Sequence, residues 1–113
     1  PSIGTDLNNS IIKIYLMKNV EDIEKIIERE KEKLLRGYKI KNIGIFGSYA
    51  KNSAKEKSDI DLIVEFEEPV SLLGVIKAEN YLTELLGIRV DLVPKEDIRK
   101  ELKETILKEV IYI

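Results

Sequence analysis

Two aspartates separated by one residue are the clearest candidates for chemistry in this sequence. Asp59 and Asp61 stand at the start of an apolar run, Leu62-Ile63-Val64. Because residues i and i+2 of an extended strand point the same way, we expect the two carboxylates to lie side by side. Two like charges that close are unfavourable unless a positive charge sits between them. Carboxylate oxygens suit Mg²⁺, which commonly binds together with phosphate groups, so the pair predicts a divalent-cation site.

A glycine–serine turn complements this acidic pair. Gly47 and Ser48 follow the apolar residues 43–46, and ten residues separate Ser48 from Asp59. Backbone N–H groups at a strand-to-helix turn favour phosphate oxygens. Gly47 lets the backbone approach a phosphate closely, and Ser48 adds a hydroxyl donor. A phosphate-binding turn facing two carboxylates predicts metal-assisted nucleotidyl transfer.

A third carboxylate, Asp91, lies inside the short apolar run of residues 89–93. If that run pairs as a strand beside Asp59 and Asp61, the three acids form a triad. Two-metal sites use such carboxylates to hold ions that clamp the attacking and leaving oxygens. We therefore expect Asp59, Asp61 and Asp91 to be both the metal ligands and the catalytic residues, with two Mg²⁺ ions.

The loop between the turn and the acids carries lysines and follows an aromatic residue. Lys51, Lys55 and Lys57 either keep this loop solvated or neutralise the charge of a triphosphate, and we take Lys51 and Lys57 as the candidates for phosphate binding. Tyr49 follows Ser48 and can either stack on a base or pack against the sheet. We expect packing for Tyr49.

Apolar periodicity and turn residues predict four helices and three strands. Asn19 and Asp22 form a capping-box pattern before a helix over residues 20–36, which Gly37 is expected to end. Strands are predicted at residues 42–46, 59–66 and 88–93, with a short helix after the glycine–serine turn, a long helix that starts near Pro69 and Ser71 and stops at Gly87, and a last helix carrying Ile98, Leu102, Ile106 and Val110. This order predicts an α/β fold with a small mixed sheet flanked by helices.

Composition excludes several classes of protein. The chain has 113 residues, enough for one domain, which we assign to residues 19–113 after an N-terminal extension at 1–18. The net charge of −2 makes nucleic acid an unlikely partner. Without Cys or His, neither disulfides nor imidazole ligands are available. No apolar stretch reaches the roughly 20 residues that span a bilayer. We expect no membrane partner and a cytoplasmic protein.

The order Gly47-Ser48, ten residues, Asp59-x-Asp61 and a later Asp91 resembles the signature of the minimal nucleotidyltransferase family, within the DNA polymerase β-like superfamily. The resemblance covers roughly Asn19 to the C-terminus and implies a polymerase β-like palm fold. The family usually has Arg-Gly where this chain has Lys51-Asn52. Asn tolerates the left-handed backbone that Gly would supply. Lys keeps the charge but not the planar fork of Arg.

The resemblance also implies a function. Family members are commonly paired with a small helical HEPN-type ribonuclease toxin and act as antitoxins by transferring AMP from ATP to a tyrosine of that toxin. Since 113 residues leave little chain for an acceptor pocket, we expect the acceptor on a partner protein, in a homo- or hetero-oligomer. Two alternatives stay open: a non-catalytic binding module, against which the intact triad argues, and transfer to a small molecule. The apolar tail at 110–113 either packs on the domain or docks on a partner.

Overall fold

The computed structural model describes residues 19–54 and 58–113, so the expected N-terminal extension at 1–18 lies outside the described residues. In chain order the elements are α1 Val20–Arg29, α2 Lys31–Tyr38, β1 Ile40–Phe46, α3 Gly47–Ala50, β2 Ile60–Phe66, α4 Leu72–Leu86, β3 Val90–Pro94, a 3-10 turn Lys95–Asp97, α5 Lys100–Glu109 and β4 Ile111–Tyr112. None of the helices in these two described ranges has the length and apolarity to cross a bilayer. The predicted α/β fold with a small sheet is confirmed.

The sheet has four strands in the order β3-β2-β1-β4. β1 pairs antiparallel with both β2 and β4, whereas β2 and β3 run parallel, so the sheet is mixed as predicted. The register places Phe46 opposite Asp61 and Asp61 opposite Asp91. Phe46, Asp61 and Asp91 therefore lie in one row across the three strands, so the end of β1 is beside both acids.

The core lies on one face of the sheet. Side chains alternate along β2, so Ile60, Leu62 and Val64 are buried on this face among residues of α1, α2 and α4, namely Ile23, Ile27, Leu34, Ala78, Leu82 and Leu86. Burying a side chain of this size contributes about 1.5–3 kcal/mol. By the same alternation, Asp61 projects from the opposite face. The helices therefore stabilise the sheet without covering the candidate acids.

The outer edge of β3 is held by side chains of α4. The backbone N–H of Val90 donates to Thr83 Oγ1 at 3.0 Å, and the N–H of Leu92 donates to Glu79 Oε2 at 2.8 Å. These bonds satisfy edge groups that would otherwise be open to another strand. They also fix both neighbours of Asp91 in the strand to α4.

The predicted first helix was wrong in two respects. Its capping box is confirmed, since Asp22 N donates to Asn19 Oδ1 at 2.9 Å. However, the helix is interrupted at Glu30, and Gly37 lies inside α2 rather than ending it. The helix continues because Tyr38 stacks on Tyr81 of α4, with ring centroids 4.8 Å apart. This contact lies between residues distant in sequence, so local helix-stop rules could not anticipate it.

Smaller differences between the predicted and observed bounds affect β2, β3 and the last helix. β3 begins at Val90 rather than at residue 88, and β2 begins one residue after Asp59. The last helix was predicted to carry Ile98 and Val110, but α5 contains neither. The 3-10 turn that follows Pro94 ends at Asp97, Ile98 is extended, and Arg99 is the N-cap of α5.

The C-terminal tail packs on the domain, which answers the question that the sequence left open. β4 pairs with β1 through Gly44 opposite Tyr112, and Ile113 N donates to Ile43 O at 3.0 Å. Gly44 makes this packing possible: a Cβ there would lie 2.5 Å from Val110 Cγ1 and 3.2 Å from Tyr112 Cδ1. The tail therefore extends the sheet at the edge of β1, and Val110 packs over Gly44.

Gly44→Ala should destabilise the protein by about 1–3 kcal/mol, because the added methyl group forces Val110 away from the sheet. Gly37→Ala is the matched control, since a Cβ at Gly37 meets nothing within 4 Å and the position is helical. That control should be neutral or stabilising by up to about 1 kcal/mol. Urea unfolding of both variants measures the difference, and equal midpoints would contradict the assigned packing of the tail.

Candidate active site

Asp61 and Asp91 occupy equivalent positions on neighbouring strands. Each is the second residue of its strand, and their Cα atoms are partners in the parallel ladder of β2 and β3. Side chains at partner positions of a sheet lie on the same face, so both carboxylates project from the face opposite the helix-packed core. Asp59 precedes β2 by one residue and is exposed. The sequence prediction that these acids share one region is therefore confirmed for the two strand positions, with Asp59 at the entry to β2.

Gly47 brings the turn directly against Asp61. Its φ is +72°, in the left-handed region that favours glycine. A Cβ on Gly47 would overlap Asp61 Oδ2 and lie 3.0 Å from Asp61 Cγ. Glycine is therefore required here both by the backbone angle and by the space that the carboxylate occupies. The half-buried Ser48 follows immediately, so the turn and the acid form one continuous surface.

The backbone after the turn is closed by hydrogen bonds. Lys51 N donates to Gly47 O at 3.1 Å, and Ser53 N donates to Ser48 O at 2.8 Å. Asn52 has a φ of +56°, which is the left-handed conformation expected from its place in the motif. Asn52 thus takes the left-handed conformation expected of the glycine that usually stands at this position in the family that the sequence resembles.

The three acids interact electrostatically. Burial raises the pKa of the Asp61 carboxyl above its ordinary value, and the negative charges of Asp91 and then Asp59 raise that pKa further. Among the residues at 19–54 and 58–113, no lysine or arginine forms an ion pair with any of the three. Within these two ranges the site is therefore a concentration of negative charge without a paired cation.

This charge distribution fits a divalent cation, although the side chains do not form a finished cage. Within the described part of the chain, no three acidic side chains form a ready-made group of metal ligands. Carboxylates that repel one another spread apart when no cation lies between them. Oxygen-only ligands with a phosphate partner are the surroundings that Mg²⁺ prefers. Asp59, Asp61 and Asp91 are accordingly the residues that could hold a divalent cation at this surface.

Tyr49 packs into the core, as expected, and is 4% exposed. Burial raises the pKa of its hydroxyl, and the nearby negative charge of Asp59 raises that pKa further. The hydroxyl thus stays protonated near Asp59. Tyr49 anchors α3 under the turn, and its side chain is not available as an open stacking platform.

The structure describes only one of the two candidate phosphate-binding lysines. Lys51 Nζ lies 3.4 Å from Glu109 Oε2 near the end of α5, so its charge is paired with that carboxylate. Its part in phosphate binding stays a prediction, and Lys57 lies outside the described residues. Sequence reasoning missed Glu109. No spacing rule connects a residue near the end of α5 to a loop that precedes it by more than fifty positions, so only the fold could reveal this contact.

A small mixed sheet with this turn and these acids has the polymerase β-like nucleotidyltransferase fold. Residues 20–113 match the family model described as a nucleotidyltransferase domain, and the chain belongs to that family of enzymes. It is 45% identical over 97 residues to the protein adenylyltransferase MntA of Thermococcus cleftensis, covering 86% of this chain and 98% of the relative.

Two solved structures agree with this assignment. A protein described as a minimal nucleotidyltransferase superposes with a TM-score of 0.65 at 35% identity, covering 79% of this chain and 93% of the other. A chain of a toxin–antitoxin crystal structure with AMP-PNP superposes with a TM-score of 0.63 at 26% identity, covering 75% and 70%. The predicted family and fold are thereby confirmed.

Gly47→Ala should destabilise the fold by about 1–2 kcal/mol through its left-handed backbone, and the new methyl group should also displace Asp61. Gly87→Ala is the matched control, because Gly87 has a φ of +70° at the end of α4. Both variants should lose similar stability, but only Gly47→Ala should change the pKa of Asp61, measured by carboxyl NMR. An unchanged Asp61 pKa in Gly47→Ala would contradict the contact.

Asp61→Asn should make the metal-free protein more stable at neutral pH. Because the folded pKa of Asp61 lies above its ordinary value of 3.8, the unfolded chain releases this proton first as the pH rises. As the pH rises from 3.8 to the raised folded pKa, the wild type therefore loses stability relative to the variant. Above the folded pKa, the difference in unfolding free energy between the two proteins is constant. Chemical unfolding across this range measures the effect, with Glu28→Gln as the control for loss of an exposed carboxylate. If the difference in unfolding free energy between Asp61→Asn and the wild type does not change with pH, the raised pKa of Asp61 is contradicted.

Proposed function

We propose that this chain is a Mg²⁺-dependent protein adenylyltransferase that transfers AMP from ATP to a hydroxyl, most simply a tyrosine hydroxyl, of a partner HEPN-type toxin. By modifying the toxin in the cytoplasm, the chain acts as its antitoxin. The nucleotidyltransferase family and the 45% identity to a protein adenylyltransferase support the reaction class. The similarity to a chain of a toxin–antitoxin structure with AMP-PNP supports the nucleotide and the kind of partner.

The contact between Gly47 and Asp61 is the observation that carries this proposal. Nucleotidyl transfer needs phosphate-binding backbone groups and acidic metal ligands within one small region, because both act on the same phosphorus. The space for a Cβ on Gly47 is occupied by the Asp61 carboxylate. Asp91 stands opposite Asp61 in the ladder. This proximity at the junction of β1, β2 and β3 supports the proposal that both requirements are met there.

Each residue has a defined task in the proposed reaction. The turn at Gly47 offers its backbone to the phosphates, and the Ser48 hydroxyl donates to a phosphate oxygen. Asp91 accepts the proton of the acceptor hydroxyl, directly or through water. The hydroxyl oxygen bonds to the α-phosphorus while the bond to the bridging oxygen breaks, and pyrophosphate leaves.

Mg²⁺ held by Asp59, Asp61 and Asp91, as two ions in the full site, would neutralise the charge on the phosphates. The raised pKa of Asp61 supports this assignment, since a nearby cation offsets the desolvation cost of burial and relieves the repulsion from the other two acids. The carboxylates thus provide both the binding energy and the selectivity for a hard cation.

Asp61→Asn should slow AMP transfer by about 10³-fold, since one metal-binding carboxylate is lost. The assay combines the chain, its cognate HEPN-type toxin, α-labelled ATP and Mg²⁺, and reads the added AMP by intact mass. Glu28→Gln on α1 removes an exposed carboxylate of the same charge away from the site and should keep the wild-type rate.

The product identifies the function. AMP on a tyrosine of the toxin, lost in Asp61→Asn and on chelation of Mg²⁺, is the expected result. Tight binding of the toxin without any transfer would contradict the proposal in favour of a non-catalytic binding module. Transfer to small hydroxyl compounds but not to the toxin would contradict it in favour of a small-molecule enzyme.

A further inference from the structure

An apolar groove lies at the far end of β3 from the acids. Its volume is about 500 Å³, and Phe66, Val75 and Pro94 contribute apolar walls. It continues onto the first turns of α4, where Leu72 lines it. We call this region, residues 66, 70, 72, 75, 79, 92–94, 96 and 97 with the adjoining exposed turn of α4, the β3–α4 groove.

The adjoining turn of α4 exposes large apolar side chains. Leu72 is 76% exposed, Leu73 is 59% exposed and Ile76 is 42% exposed. At 3.6 residues per turn these three positions fall within about 100° of one another around α4. Of the three, Leu72 also lines the groove. A contiguous apolar surface of this kind marks an interaction site more often than isolated exposed residues do.

The charges around the groove indicate the chemistry of its partner. Its charged lining residues are Glu79, Glu96 and Asp97, and no lysine or arginine among the described residues lines it. Glu79 already accepts a hydrogen bond from Leu92 N, whereas Glu96 and Asp97 are exposed. An apolar groove with an acidic rim fits an apolar helix face flanked by lysine or arginine.

The same charges disfavour a second copy of this chain. In a two-fold symmetric dimer with the groove on the axis, each groove would face an identical groove. Glu96 and Asp97 of one copy would then approach the same acids of the other, which is repulsive. A heterologous partner with basic residues avoids this repulsion.

The groove lies on the helix-packed side of β3. Phe66 and Leu92 belong to the face of the sheet that carries the core, and Val75 and Glu79 belong to α4, which packs on that face. Asp61 and Asp91 project from the opposite face. A helix seated in the groove would therefore hold a partner on the domain without touching the three acids.

We propose that the β3–α4 groove docks an amphipathic, basic-rimmed helix of the partner toxin, on the side of the sheet opposite the three acids. The identity of this partner rests on the proposed function. Apolar side chains of the helix fill the groove beside Leu72 and Leu73, and its lysines or arginines face Glu96 and Asp97.

The test measures toxin binding without nucleotide, by calorimetry in the presence of a metal chelator. Leu72→Ser/Leu73→Ser should weaken binding by about tenfold or more, since it removes exposed anchors that the fold does not need. Leu35→Ser/Leu102→Ser is the matched control, because these leucines are 38% and 50% exposed on other helices. The control should bind the toxin as the wild type does.

A second pair of variants tests the charge. Glu96→Lys/Asp97→Lys should weaken toxin binding by about tenfold and reduce its salt dependence. Glu101→Lys/Glu104→Lys, which reverses two exposed charges on α5, should have little effect. Wild-type affinity in every groove variant would overturn the proposal, as would equal losses in the control variants.

Two other occupants of the groove, a second copy of this chain and residues 1–18, would give different experimental results. A toxin-free dimer that dissociates in Leu72→Ser/Leu73→Ser would assign the groove to a second copy and overturn the proposal. Changes in the NMR signals of Val75 and Val93 on removing residues 1–18 would assign it to that segment, with the same consequence.

Failure of the docking proposal is distinguishable from failure of the proposed function. Groove-dependent binding without AMP transfer would contradict the function and leave the docking surface in place. AMP transfer by a wild-type chain whose groove variants bind the toxin normally would contradict the docking surface alone.

Discussion

The register of the three neighbouring strands is the constraint on which the candidate site depends. Phe46 stands opposite Asp61, and Asp61 stands opposite Asp91. The turn that begins at Gly47 therefore starts beside the carboxylate of Asp61. A slip of one residue in β2 would turn Asp61 toward the helix-packed core and expose Leu62 instead. The hydrophobic core on one face thus enforces the position of the acids on the other.

The two faces of the sheet have opposite energetic roles. One face buries β-branched and leucine side chains against α1, α2 and α4, and this burial stabilises the fold. On the other face, burial and then the negative charges of Asp91 and Asp59 raise the pKa of Asp61, and this opposes folding when no cation is bound. Bonds from Val90 and Leu92 to α4 hold β3 in place despite this repulsion. The charge that weakens the free protein is also what would attract a metal–nucleotide complex.

Much of the site could be predicted from sequence because its signals are local. The spacing of Gly47, Asp59, Asp61 and Asp91 within apolar runs indicated a turn and acids at the same edge of a sheet, and the strand register confirms that neighbourhood for Gly47, Asp61 and Asp91. The left-handed backbone of Asn52 followed from the residue type in the same way.

Features that depend on distant contacts could not be predicted. The continuation of α2 through Gly37 depends on the stacking of Tyr38 on Tyr81. The pairing of β4 with β1 depends on the space above Gly44, and the ion pair of Lys51 with Glu109 depends on where α5 packs. None of these contacts leaves a periodic or motif-like signal in the chain.

The most direct test of the site is paramagnetic NMR with Mn²⁺ and AMP-PNP bound to the wild-type chain. If the acids and the turn form one metal–nucleotide site, the amide signals of Gly47, Ser48, Asp61 and Asp91 should broaden strongly. Signals of the exposed turn at Leu72, toward the other end of the sheet, should broaden much less. Strongest broadening elsewhere, or none at Gly47 and Asp61, would contradict the assignment of this surface as the active site.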